Sequence, residues 1–290
     1  MGASTLGQAC ERRLWLSFRW AVIEEFEGRM LRLFRRGQNE EATILADLEL
    51  AGVKIETTQA YFTFGGHVSG SADAIVSNVP EAPKAHHVAE FKTHSDKSFS
   101  ALERDGVAKS KPEHWVQMQV YMHGAGLDRA LYVGVNKNDD RLHIERIHYD
   151  KAAAQAAIDR GHRISQSDRM PEPIAGASPA WYQCKFCPAY NFCHHTKLTC
   201  EVNCRTCAHA TARPDGYWHC GVFDDVIPVP AQRKGCTSHV LHPDLVPWTM
   251  ADSPDGVMGA WVIDGKIEKN GDPEAGGRTS LDLINSQVPF

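Results

Sequence analysis

No apolar run in this 290-residue chain approaches the roughly 18–20 residues that a bilayer-spanning helix needs. Residues Met1 to Cys10 lack the basic-then-apolar layout of a secretory leader. Both absences lead to the expectation of a cytoplasmic protein. There is no G-x-x-x-x-G-K-[ST] loop, so a built-in nucleotide-driven motor is not expected. Gly65-Gly66 has the setting of a hairpin turn and not of a dinucleotide fingerprint. No Ser/His/Asp order and no internal repeat stands out. What remains is ordinary for a globular chain: 42% hydrophobic and 23% charged residues, which excludes wholesale disorder.

The net charge of −5 is unevenly spread. Residues 241–290 hold eight acids and three bases, which accounts for the whole excess. Elsewhere, Arg12, Arg13, Arg19, Arg29, Arg32, Arg35 and Arg36 crowd one N-terminal stretch. An acidic total is compatible with nucleic acid if these arginines share a face. The competing expectation is a solvated helix face paired with Glu24, Glu25 and Glu27.

Nine cysteines are many for a reducing compartment, and eight of them lie between Cys184 and Cys236. Clustered thiols in such a setting point to metal more than to disulfides. Histidine pairs His86-His87 and His194-His195 are expected at the surface or facing a ligand. Adjacent strand residues point to opposite faces, so one of each pair at most could serve a metal.

Periodicity predicts a helix over 10–36, with Leu14, Phe18, Val22, Phe26 and Met30 at four-residue steps, interrupted at Gly37. A second helix is expected over 38–51. Strands follow at Val53–Thr57, Tyr61–Phe64, Val68–Val76 and Val88–Phe91. The polar segment His94–Lys111 reads as a loop or short helix. Pro112 opens a helix to about His123. Leu131–Val135 and Leu142–His148 read as an antiparallel pair, followed by a helix over Asp150–Arg163 and a proline-marked linker. A strand at Ala260–Ile263 should turn at Asp264-Gly265.

Three features of the middle region carry chemistry. Gly70-Ser-Ala-Asp73 lies in a β-rich segment, Glu90-Phe91-Lys92 ends an apolar strand, and His114-Trp-Val-Gln117-Met-Gln119-Val-Tyr121 lies on a helix. Glu90 and Lys92 are two apart on a strand and share a face, while Phe91 points away. His114, Gln117 and Tyr121 share a helix face. Paired carboxylates hold a hard divalent cation through oxygen, and a neighbouring ammonium suits attack on a phosphodiester.

The order and spacing of these features resemble the PD-(D/E)XK nuclease superfamily, specifically its RecB-like exonuclease branch, over about residues 10–195. The resemblance implies an α/β fold, a mixed-sheet core flanked by helices; beyond it, the clustered cysteines lead to the expectation of a small C-terminal cysteine-rich metal-binding module. It implies Asp73 and Glu90 as metal-binding acids, the Phe91 carbonyl as a further Mg²⁺ or Mn²⁺ ligand, and Lys92 as the catalytic lysine. Gln117 and Tyr121 match the family's Q-x-x-x-Y helix. Gly37-Gln-Asn-Glu40-Glu41 resembles its helical metal motif, with Glu41 preferred over Glu40. Ala72 and Gln38 depart from the family pattern.

Cys184-x₂-Cys187-x₅-Cys193 asks for a fourth thiolate, and Cys10 is the candidate. Four thiolates suit a [4Fe–4S] cluster or zinc. The resemblance to iron–sulfur nucleases, AddB-type and CRISPR adaptation enzymes among them, implies the cluster, tying the first helix to the end of the nuclease core. Cys204-x₂-Cys207 with Cys220 and Cys236 forms a second possible quartet, for zinc or a second cluster. His209, His219 or His239 could replace one of its thiols, and Cys200 is left over. The expected division is 1–199 nuclease core, 200–241 cysteine module and 242–290 acidic tail. The expected activity is metal-dependent DNA exonuclease action on ends or single strands in replication, recombination or repair, phage-type, with a helicase or recombination partner. The rival readings are a non-catalytic iron–sulfur DNA-binding adaptor and a redox iron–sulfur protein.

Overall fold

The computed structural model describes residues 1–251 and 259–287. Positions 252–258 and 288–290 of the expected acidic tail lie outside the described residues. In chain order the main elements are α1 (Glu11–Phe18), α2 (Gly28–Leu50), β1 (Lys54–Thr63), β2 (Ser69–Ser77), β3 (His87–His94), α3 (Asp96–Ser110) and α4 (Pro112–Ala125). Next come β4 (Arg129–Asn136), β5 (Leu142–His148), α5 (Lys151–Ser165), α6 (Tyr182–Lys185), β6 (Ala210–Ala212), β7 (Trp218–Cys220), β8 (Asp225–Val226) and α7 (Val229–Gln232). The last are β9 (Thr249–Met250), β10 (Ala260–Ile263), β11 (Lys266–Lys269) and α8 (Ser280–Asn285). None of the described helices is long and apolar enough to cross a membrane.

The chain divides into two compact units: Met1–Gln8 with Glu25–His162, and Ala9–Glu24 with Arg163–Phe290. This differs from the division expected at 199 and 241. Segment 9–24 belongs with the C-terminal part because its polar groups are satisfied there. Arg163 pairs with Glu11, Trp15 Nε1 donates to the Ser167 carbonyl at 2.8 Å, and Thr199 Oγ1 donates to the Ala21 carbonyl at 2.7 Å.

The first unit is built on a mixed five-stranded sheet in the order β1-β2-β3-β4-β5. Only β3 and β4 run parallel, and the chain between them supplies α3 and α4. Each sheet face has its own apolar layer. Val88, Ala130 and Tyr132 pack with Phe99 and Leu102 of α3, Met118 and Met122 of α4, and Ile158 of α5. Ala89, Phe91, Leu131 and Val133 pack with Ile44 and Leu48 of α2. The expected β1 pieces form one strand with a register shift between Ile55 and Thr57.

Three expectations about helices are corrected. The 10–36 helix is two helices. α1 ends in a Schellman motif: Trp20 adopts φ +51°, its N–H donates to Ser17 O, and Ala21 N–H donates to Leu16 O. A tryptophan in this conformation is held by tertiary contacts, with the Arg205 guanidinium 3.7 Å over its ring and Asn203 donating to its carbonyl. Gly37 does not interrupt α2; it lies within it, and 38–51 continues the same helix. His94–Lys111, read as a loop or short helix, is helical from Asp96 to Ser110 with a break at Gly106 (φ 70°, ψ 175°), because Phe99 and Leu102 before the break and Val107 after it are buried among polar neighbours.

The second unit contains two small three-stranded sheets, β6-β7-β8 and β11-β10-β9. Asp264 and Gly265 have φ of 50° and 75° between Ile263 and its partner Lys266, the two-residue turn the sequence suggested. Trp261, Leu283, Ile284, Val240 and Leu241 form its apolar centre.

Candidate active site

The antiparallel pairing of β2 with β3 runs from Val76↔His87 to Ala74↔Ala89 and goes no further. The next residues across are Asp73 and Glu90. Here the Asp73 side chain replaces the backbone ladder: Phe91 N–H donates to Asp73 Oδ2 at 2.8 Å. The close approach behind it depends on Gly70, where a Cβ would come within 2.7 Å of Ala3 Cβ and 2.8 Å of Tyr121 Cε1.

Glu90 is fully buried. Its Oε1 accepts from Lys92 Nζ and, at 2.8 Å, from Gln117 Nε2. The same Gln117 nitrogen donates to the Tyr121 hydroxyl at 3.2 Å. Lys92 Nζ also donates to the Phe91 carbonyl at 3.2 Å. Glu90 Oε2 is buried with no hydrogen-bond partner. Glu41 lies on the α2 stripe that carries buried Ile44 and Leu48, and it acts electrostatically on Glu90 and with Asp73 and Lys92. Glu41, Asp73, Glu90, Lys92, Gln117 and Tyr121 therefore occupy one neighbourhood.

Burial dominates the electrostatics. It pushes Glu90 up to about 7, with Lys92 opposing and the Asp73 and Glu41 carboxylates adding to the rise. Glu41 is raised by burial and then by Asp73. For Lys92, burial favours the neutral amine, but the Glu90 and Asp73 charges outweigh it and hold the ammonium above its usual value. Burial raises the Tyr121 phenol to about 12. Three carboxylates around one ammonium make a site short of positive charge.

The donor set fits a hard divalent cation: Glu41, Asp73, the Phe91 carbonyl and the unpartnered Glu90 Oε2 are all oxygens. As they stand, among the described residues, no three His, Cys, Asp or Glu side chains converge into a coordination set. Glu90 instead leans on Lys92 and Gln117.

Sequence reasoning missed Tyr132. It stands directly across from Glu90 in the parallel β3–β4 register. Its hydroxyl lies 2.8 Å from His94 Nε2 and 2.9 Å from His114 Nδ1. His114 thus engages Tyr132, while Gln117 and Tyr121 on the same helix face reach toward Glu90. Gln119 serves the fold, donating to His148 O and accepting from Asp150 N–H. Only the sheet order could have revealed Tyr132. His87, expected at the surface, is fully buried, and burial lowers its pKa; its neighbour His86 is exposed.

No family model and no curated protein matches this chain. Among solved structures it is similar to SSO0001, at 15% identity over 65% of this chain and 82% of that one, TM-score 0.40. It is also similar to the alkaline exonuclease LHK-Exo of Laribacter hongkongensis, at 18% identity over 57% of this chain and 84% of that one, TM-score 0.41. The same exonuclease in complex with dAMP aligns at 17% identity over 57% and 85%, TM-score 0.41. Scores of this size leave the functional reading to the chemistry of the site.

The first cysteine set lies entirely in the second unit. Burial raises the Cys187 and Cys193 thiols; Cys10 and Cys184 act electrostatically on Cys187, and Cys187 and Cys10 on Cys193. A cluster on these four would therefore close a loop within that unit, not tie the first helix to the five-stranded core. The second set lines one cavity: Cys204, Cys207, Cys220 and Cys236, with His209 and His239. His239 is committed elsewhere, its Nδ1 2.7 Å from Ser280 Oγ and its Nε2 3.0 Å from the Asn203 carbonyl. His219 pairs with Asp224. Cys200 is exposed and absent from the cavity lining.

Proposed function

We propose that the chain is a metal-dependent DNA nuclease of PD-(D/E)XK type, acting as an exonuclease in replication, recombination or repair. The observation that carries this reading is the end of the β2–β3 pairing, where Asp73, Glu90 and Lys92 meet Glu41 from α2 and Gln117 and Tyr121 from α4. Glu41, Asp73, Glu90 and the Phe91 carbonyl would hold Mg²⁺ or Mn²⁺, which when bound supplies charge neutralisation at phosphorus and acidifies water. Lys92 keeps its proton and is placed to stabilise negative charge beside the carboxylates. Gln117 fixes the Glu90 carboxylate and hands on its second contact to Tyr121, whose phenol stays protonated.

The cysteines are assigned to architecture: Cys10, Cys184, Cys187 and Cys193 to a [4Fe–4S] cluster, and Cys204, Cys207, Cys220 and Cys236 to zinc. Four soft sulfurs around one cavity, with His239 already engaged, favour an all-thiolate zinc site in the second set.

The test is cleavage of end-labelled single- and double-stranded DNA with Mg²⁺ or Mn²⁺, with and without chelator. Wild-type protein should cut only with metal, and Glu90→Gln should not cut. No cleavage by wild type on any substrate would leave the DNA-binding adaptor as the better reading. Undiminished cleavage by Glu90→Gln would place the active site elsewhere.

A further inference from the structure

Two arginines of the second unit stand over one indole with no acid to balance them. Arg205 lies in the Cys204-x₂-Cys207 stretch, and its guanidinium carbon is 3.7 Å from the centroid of the half-buried Trp20 ring. Arg233, the residue after α7, is exposed and has its own guanidinium carbon 4.8 Å from the same ring. The two charges therefore lie no further apart than the sum of those distances. Other arginines of this unit, Arg19, Arg163, Arg169, Arg213 and Arg278 among them, pair with carboxylates; among the described residues Arg205 and Arg233 do not.

Arg205 is fixed in place. Its Nε donates to Oε1 of buried Gln232 at 3.0 Å, and its Nη1 donates to the Phe18 carbonyl at 2.9 Å. Gln232 is itself anchored, its Nε2 donating to the Ile227 carbonyl at 2.8 Å. The Arg205 Nη2 has no acceptor among the described residues. Burial and the neighbouring Arg233 charge both work against the Arg205 cation. The thiols of the nearby cavity do not act on Arg205, although Cys207 acts on Arg19, so the cysteine set does not supply the missing counter-charge.

The indole between them is held at a cost. Trp20 adopts φ +51°, a conformation that costs an ordinary residue about 1–2 kcal/mol. Strain of this kind collects where a fold is arranged for binding. Two like charges, one rigid and one exposed, kept together over a strained ring and without an acid, want an anion. Guanidinium forks match the paired oxygens of a phosphate, and such contacts carry no base readout.

We infer that Trp20, Arg205 and Arg233 form a phosphate site that grips the backbone of a nucleic acid, separate from the carboxylates of the first unit. The phosphate chemistry stands on the cluster itself; nucleic acid as its source rests on the nuclease reading. The grip is independent of sequence and can be measured without turnover.

The probe is a fluorescent single-stranded oligonucleotide, titrated by polarisation across a salt series. The full chain carries Glu90→Gln so that it does not cut, and chelator is left out so that bound metals stay. Arg233→Ala in this parent should weaken binding about tenfold, the loss of one charge-assisted contact. It should also make the slope of log Kd against log salt shallower by about 0.7, one phosphate of a single strand. Arg233→Lys keeps the charge and should keep the slope. Arg213→Ala removes an arginine already paired with Asp215 and should bind like the parent. The Arg233→Ala loss should be the same for oligo-dT and for a mixed sequence. An unchanged slope in Arg233→Ala would overturn the site, as would an equal loss in Arg213→Ala, and a loss confined to one sequence would overturn the backbone grip. Inorganic phosphate is the second probe. A melting temperature that phosphate raises in the parent but not in Arg233→Ala, with oligonucleotide affinity equal in both, would assign the site to free phosphate and overturn the nucleic-acid source. Wild-type cutting with an unchanged slope would overturn the site alone, and an Arg233-dependent slope in a chain whose wild type never cuts would overturn the nuclease reading alone.

Discussion

The Phe91 amide donates to Asp73 Oδ2 at 2.8 Å, so one carboxylate oxygen is used by the fold and the other is left for chemistry. The two roles separate by mutation. Asp73→Ala removes the acceptor and strands a backbone N–H, which costs about 1–3 kcal/mol. Asp73→Asn retains an acceptor. Both variants should lose cleavage, but only Asp73→Ala should lose several degrees of melting temperature. Equal melting of the two would show that the contact does not support the strand junction.

Lys92 is not a purely catalytic group. It pairs with a fully buried carboxylate, and removing one partner of such a pair leaves an uncompensated charge. Lys92→Ala should abolish turnover and also lower thermal stability, most clearly above pH 7. The reason is linkage. Burial, with Asp73 and Glu41, pushes the folded Glu90 up to about 7 against the opposing Lys92, above the ordinary glutamate value of 4.5; without Lys92 it rises further, so the variant's extra loss of stability opens as pH rises past 7. The double variant Lys92→Ala/Glu90→Gln should recover the melting temperature without activity. Persistent instability of the double variant would refute the charge argument.

Acid should destabilise the first unit through His94 and His114. Burial lowers them to about 4 and about 3, from the ordinary histidine value of 6.5. Nearby ammonium groups of Lys111 and Lys92 add to the effect in both. Their neutral forms flank the Tyr132 hydroxyl. The unfolded chain takes up these protons first, so stability is complete above pH 6.5 and is lost as pH falls toward 4. Melting curves between pH 4 and 7 should flatten in His94→Asn/His114→Asn.

The two cysteine sets should separate by metal. Anaerobically purified protein should be brown, and Cys184→Ser, Cys187→Ser, Cys193→Ser and Cys10→Ala should each bleach it. Cys10→Ala should also melt earlier, because Cys10 stands at the start of α1 and its partner thiols lie some 170 residues on, so the cluster closes a long loop. Cys204→Ser or Cys236→Ser should remove one equivalent of zinc and leave the colour. Elemental analysis of each variant decides it: colourless wild type holding only zinc would replace the cluster by zinc.

Gly37 offers a stability test free of chemistry. It sits inside α2, and a Cβ there would meet nothing within 4 Å. Gly37→Ala should stabilise the protein by about 0.5–1 kcal/mol through helix propensity. A lower melting temperature would show that the helix bends there in solution.

The residues of the candidate site were legible because their spacing is local. Two residues on a strand share a face, and four on a helix nearly do, so Glu90 with Lys92 and Gln117 with Tyr121 could be paired from the sequence. The hairpin at Asp264-Gly265 was legible for the same reason. What the sequence could not express is which distant groups satisfy a segment's polar atoms and cover its apolar ones. Trp20 ends a helix without glycine or proline because Arg205 and Asn203, far along the chain, hold it. The polar run after His94 becomes helix because three buried side chains find a layer to enter. Tyr132 reaches Glu90 only through a parallel pairing that spans two helices. Periodicity encodes each element's faces; the burial of those faces against remote partners sets boundaries, neighbours and charge states, and it exists only in the folded chain.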